Sequence, residues 1–72
     1  MTIEKLEMLF NELGLSPTLK NNRLRGKTYR YVFHSWINTQ GQVTIKTRGV
    51  QKSFNINNAD ELKKELQRFE II

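Results

Sequence analysis

The sequence predicts an α+β fold of order α-β-β-β-α. It is a three-stranded antiparallel meander with both helices on one face and the opposite face open. Three observations carry this. Apolar residues recur at helical spacing only near the two ends of the chain. Between them lie β-branched and aromatic runs separated by short turn signals. The 72 residues, 38% hydrophobic and 26% charged, suit one small globular domain with a thin core.

Residues 2–14 read as the first helix. Ile3, Leu6, Phe10 and Leu13 form one stripe, widened by Met8 and Leu9. Thr2 is a suitable N-cap, and Glu4 sits where the helix dipole favours an anion. Gly14 can take the left-handed conformation that ends a helix, and Pro17 bars its continuation. Residues 18–27 carry no periodicity, and Asn21, Asn22 and Gly26 are turn formers. This stretch is therefore expected to be a basic loop.

Residues 28–37 are β-branched and aromatic and read as the first strand. Asn38-Thr39-Gln40-Gly41 fits a type I turn with a left-handed glycine. That turn sets Ile37 opposite Val43 and Ser35 opposite Ile45, with residues 42–47 as the second strand. Arg48-Gly49 fits a two-residue hairpin turn into a third strand, 50–56. It sets Thr47 opposite Val50, Ile45 opposite Lys52 and Val43 opposite Phe54. Residues 59–69 form the last helix, with Asn58 and Glu61 as a capping box and Ala59, Leu62, Leu66 and Phe69 as its stripe.

The two turns agree on the faces. One collects Tyr29, Tyr31, Phe33, Ile37, Val43, Ile45, Val50, Phe54 and Ile56 and is the expected core face, with Ser35, Thr47 and Lys52 as its polar members. The other collects Arg30, Val32, His34, Trp36, Gln42, Thr44, Lys46, Gln51, Ser53 and Asn55 and is expected to stay open.

Charge is segregated along the chain. Twelve Lys and Arg against seven Asp and Glu give a net +5. Residues 13–59 contain no acid and eight bases, whereas 1–12 carry one base and three acids and 60–72 three bases and four acids. Such polarisation attracts polyanions. The absence of cysteine excludes disulfides, thiolate metal sites and thiol catalysis. One histidine, with no acid in the middle of the chain, supports neither a nucleophile–base relay nor a metal site. The sequence is thus expected to be no enzyme and to need no cofactor or metal. No apolar run suits a transmembrane helix or signal peptide, no membrane partner is expected, and the expected compartment is the cytoplasm.

Nucleic-acid binding is the favoured function, with DNA ahead of RNA. The expected contacts are Arg23, Arg25 and Lys27 as phosphate positioners in the basic loop, and Arg48 in its turn. Arg30, Lys46, Gln51 and Ser53 on the open face have side chains that can reach base edges. His34 and Trp36 can stack on bases. The stretch VTIKTRGVQKSFNINNADELKKELQRF joins a strand pair, a basic hairpin turn, an aromatic and a capped acidic helix start. In that order it resembles three-stranded-sheet DNA-binding domains such as the integrase arm-site domain, the plant ethylene-response-factor domain and homing endonucleases. The resemblance spans residues 28–69 and implies Arg30, Lys46, Gln51 and Ser53 as major-groove readers. The element order also resembles double-stranded-RNA-binding domains, but Ala59-Asp60-Glu61 stands where that family begins its last helix with lysines. A phage or mobile element is the expected source of such a nucleic-acid-binding protein. The alternative is a protein-binding module or inhibitor, for example a phage-encoded protein that blocks a host enzyme or defence complex by gripping an acidic surface, with Trp and Arg as anchors. Oligomeric state is left open.

Overall fold

The computed structural model describes residues 1–72 and corrects the strand count. The fold is α+β, but the sheet has five strands, not three. Helix α1 (Ile3–Glu12) precedes β1 (Thr18–Lys20), β2 (Arg23–Lys27), β3 (Val32–Ile37), β4 (Val43–Thr47) and β5 (Val50–Phe54), and helix α2 (Ala59–Arg68) follows. The strands lie in chain order, every neighbour antiparallel.

The expected basic loop at 18–27 is a hairpin. Asn21 and Asn22 both have positive φ, 53° and 59°, the pattern of a type I′ turn, which matches the twist of paired strands. It sets Lys20 opposite Arg23 and Leu19 opposite Leu24. Each strand shows few apolar residues because only one face is buried: Leu24 is fully enclosed and Leu19 packs against the core, while Arg23, Arg25 and Lys27 point outward. The next inward position is Gly26, whose missing side chain hides the alternation. A Cβ there would lie 2.3 Å from Phe33 Cζ.

The first expected strand is also shorter than its propensity implied. Residues 28–31 form the β2–β3 turn, so Tyr29, Arg30 and Tyr31 leave the sheet. The Thr28 amide donates to the Tyr31 carbonyl, and the Thr28 hydroxyl accepts from the amides of Arg30 and Tyr31. That local network overrides aromatic β-propensity, and Tyr29 ends 87% exposed instead of in the core. Val50, expected inside, is 48% exposed because β5 is an edge strand. Ile56 is buried but lies beyond the end of β5.

The two later turns form as read. Asn38 accepts from Gly41 and, through its side chain, from the amides of Gln40 and Gln42, with Gly41 at φ 76°. Arg48 and Gly49 have φ 52° and 77°. All five cross-strand pairs set by these turns are present.

Both helices cover the same sheet face. Leu6, Leu9 and Phe10 from α1 and Leu62 and Leu66 from α2 enclose Leu24, Phe33, Val43 and Ile45. Phe10 stacks on Phe33 at 5.3 Å, and Phe54 meets Phe69 edge-on at 6.1 Å. Ser35 and Thr47, the buried polar residues of this face, donate to the Thr44 and Val32 carbonyls at 2.8 and 2.9 Å, so their burial leaves no orphaned group.

The two helices end alike. After α1, the Gly14 and Leu15 amides donate to the Asn11 and Phe10 carbonyls. After α2, the Glu70 and Ile71 amides donate to the Gln67 and Leu66 carbonyls. Both are Schellman motifs, with Gly14 (φ 78°) and Glu70 (φ 61°) in the left-handed position. A glutamate there carries a Cβ penalty that a glycine avoids. Glu70→Gly is expected to stabilise the domain by about 0.5–1 kcal/mol. A urea melt in which Glu70→Gly is less stable than the parent would show that the Glu70 side chain contributes more than its backbone costs.

Candidate nucleic-acid interface

Strand alternation and the observed registers build the face opposite the helices. Two cross-strand rows define it. One runs Thr18, Arg25, His34, Lys46, Gln51, and the other Lys20, Arg23, Trp36, Thr44, Ser53. Lys27 and Val32 extend it toward the β2–β3 turn. His34, Trp36, Lys46, Gln51 and Ser53 therefore stand where the sequence reading put them. Arg23, Arg25 and Lys27 do not: they are residues of β2 on this same face, not of a separate loop.

Five cations thus share one exposed surface: Lys20, Arg23, Arg25, Lys27 and Lys46. No acid lies on it, since every Asp and Glu belongs to α1, α2 or the segment after α2. The molecule's single ion pair is Arg68 with Glu65 on α2, so none of the five is neutralised within the protein. Arg23, Arg25 and Lys27 alternate along β2 at a spacing of roughly 6.6 Å, twice the rise per strand residue.

The aromatic pair sits beside this line of charge. The Arg23 guanidinium lies over the Trp36 ring, 4.2 Å from its centroid, a cation–π contact. Trp36 is half-buried, and the next residue in its row, Thr44, is 1% exposed although it belongs to the open face. Thr44 Oγ1 and Ser53 Oγ share a hydrogen bond of 2.8 Å. Trp36 therefore both shields the sheet and offers ring surface.

Two of the expected contacts are engaged elsewhere. Arg30 lies in the β2–β3 turn, not on the sheet, so its expected role as a sheet-borne base reader has no geometric support. Its Nε donates to the Tyr29 hydroxyl at 2.8 Å, which pushes the guanidinium pKa up and keeps it charged. Arg48 turns to the helix side. Its guanidinium stacks on Tyr31 at 3.9 Å and donates to the Phe69 carbonyl at the C-terminus of α2. Arg48 serves the fold there, stabilising the negative end of a helix.

Lys20 is the surface cation that the sequence reading left out. The signal was present: Asn21-Asn22 flanked by Leu19 and Leu24 reads as a hairpin turn and puts Lys20 beside Arg23. No group of three or more His, Cys, Asp or Glu side chains could hold a metal ion, and no helix is long and apolar enough to cross a membrane.

Comparison of the chain with protein-family models, curated proteins and solved structures gives no match.

Proposed function

We propose that this protein binds nucleic acid across the open sheet face, with DNA the leading substrate. The supporting observation is the set of five unpaired cations on an acid-free surface that also carries Trp36 and His34. Like charges gathered this way repel one another, and a polyanion relieves that repulsion while releasing its own counterions.

Geometry favours one form of substrate. Four inter-strand gaps of about 4.8 Å make the sheet roughly 19 Å wide. The major groove of duplex DNA is about 12 Å wide, so the whole face cannot enter it. A single strand can lie across it, its phosphates along Arg23, Arg25 and Lys27 and its bases toward Trp36 and His34. Duplex would be met by two or three strands of the sheet at a time.

Anisotropy titrations with single-stranded DNA, duplex DNA and duplex RNA at two salt concentrations test this. Binding should be tightest on the single strand. With four or five phosphates neutralised, the log–log salt slope there should be about −3 to −3.5, from roughly −0.7 per contact. Tighter binding to duplex would shift the contact to a groove-sized part of the sheet. No binding to any of the three at low salt would overturn the proposal and hand this face to an acidic protein surface.

A further inference from the structure

A second surface, along the free edge of the sheet and its helix side, has the parts of a strand-docking site. β5 is an edge strand. Its hairpin with β4 has a two-residue turn, so Thr47 and Val50 beside the turn form the doubly bonded pair, and bonded pairs alternate from there. Val50, Lys52 and Phe54 spend their backbone groups on β4. By that alternation the N–H and C=O of Gln51 and Ser53 point away from the sheet, and no turn, loop or cap bond uses them.

Beside this edge lies a groove of about 290 Å³ between β5 and α2, lined by Arg48, Val50, Lys52, Phe54, Arg68 and Phe69, with Glu65 as its one acid. Arg48 is committed to Phe69 and Tyr31, and Arg68 to Glu65. Lys52 has no partner and stands between Val50 and Phe54 on the groove side.

We propose that the β5 edge and this groove dock an extended acidic peptide, which adds as a sixth strand and sets a carboxylate side chain against Lys52. Main-chain bonds to Gln51 and Ser53 supply affinity, and the groove supplies specificity. The favoured segment carries an Asp or Glu opposite Lys52 and apolar residues two positions to either side, over Val50 and Phe54. A second copy of this chain fits poorly. The antiparallel register that uses both free residues places Lys52 opposite its own copy, where like charges repel. Its side-chain contacts lie on the helix side of the sheet, opposite the nucleic-acid face, while Gln51 and Ser53 lend backbone to this site and side chains to that face; the proposal does not rest on the nucleic-acid reading.

The test uses a fluorescently labelled seven-residue peptide of alternating valine and threonine with a central glutamate, and its twin with a central lysine. The glutamate peptide should bind saturably and at least about fivefold more tightly than the lysine peptide, the scale of a partly exposed ion pair. It should slow hydrogen exchange at the Gln51 and Ser53 amides. Lys52→Gln should remove the preference between the peptides. Gln51→Pro should abolish binding with little change in thermal unfolding, because the lost N–H has no partner in the fold. Equal affinity for both peptides, no saturation at millimolar peptide, protection at residues outside β5, or a protein dimer that the peptide dissociates would each overturn the proposal.

Discussion

Phe33→Ala should cost about 3–5 kcal/mol, a large share of the stability a domain of this size has. At roughly 0.05–0.15 kcal/mol per residue, a chain of this length has only about 4–11 kcal/mol of stability to lose. Phe33 is fully buried, stacks on Phe10 and fills the space that Gly26 leaves empty. The reverse error is also expected to be costly. In Gly26→Ala the new Cβ would sit 2.3 Å from Phe33 Cζ and 2.6 Å from Cε1. The ring cannot swing away because Phe10 lies against it at 5.3 Å, so overpacking of about 1–3 kcal/mol follows. Gly26→Ala with Phe33→Leu should be more stable than the two single losses added together, since the smaller side chain vacates the contested space. Urea melts followed by circular dichroism measure all three. A Gly26→Ala protein within about 0.5 kcal/mol of the parent would show that the ring is free to move.

The second large effect is on binding. Replacing Arg23, Arg25 and Lys27 together by Ala should weaken single-stranded DNA binding roughly 100-fold at low salt, taking about 1 kcal/mol per lost phosphate contact. The salt slope should shrink by about two units, from roughly −0.7 per contact. Arg48→Ala is the informative partner. It removes a cation of the same kind, but one bound to the C-terminus of α2, so it should lower stability by about 1 kcal/mol and leave the slope nearly unchanged. Were both variants to lose affinity and slope alike, the contact would be a diffuse response to net charge and not a property of β2.

The same residues explain what could be read from the sequence. Asn38 through Gly41 and Arg48-Gly49 name their turns almost uniquely, because a left-handed glycine at the right offset leaves little choice, and the registers of β3, β4 and β5 followed. Gly14 marked the end of α1 for the same reason, and Thr2 and Asn58 marked the helix starts because their side chains accept from the Lys5 and Glu61 amides. β1 and β2 were hard to see because the alternation in each rests on a single leucine, Leu19 or Leu24, and Gly26 leaves the next inward position of β2 blank, so the Asn21-Asn22 turn was the one clear signal. Nothing local to Gly26 reveals the ring of Phe33 above it. Tyr29 and Arg30 were misplaced because strand propensity is weaker than the hydroxyl of Thr28, which organises the turn. As for the candidate interface, its charge was visible in the acid-free middle of the chain. What was missing was the hairpin that turns a loop of positive charge into an ordered row. The engagement of Arg48 depends on Tyr31 and Phe69, 17 and 21 residues away in sequence, and could not be seen from its neighbours.

The meander has a consequence for how the chain reaches its native state. Every strand pairs with the one before it, across turns as short as two residues, and no crossover interrupts the series. Hairpins of that kind close in about 1–10 μs, and each can template the next. The sheet should thus assemble by zipping between close neighbours, at little loop-closure cost for its size. The helices differ: α1 and α2 lie at opposite ends of the element order yet pack on each other, a contact whose formation closes all five strands into one loop. Their meeting over Phe33 and Ile45 should be the rate-limiting event, placing most of the barrier in helix docking and not in strand pairing. Substitutions at Leu6 or Leu62 would then slow refolding, while those in the Asn21-Asn22 turn would mainly speed unfolding.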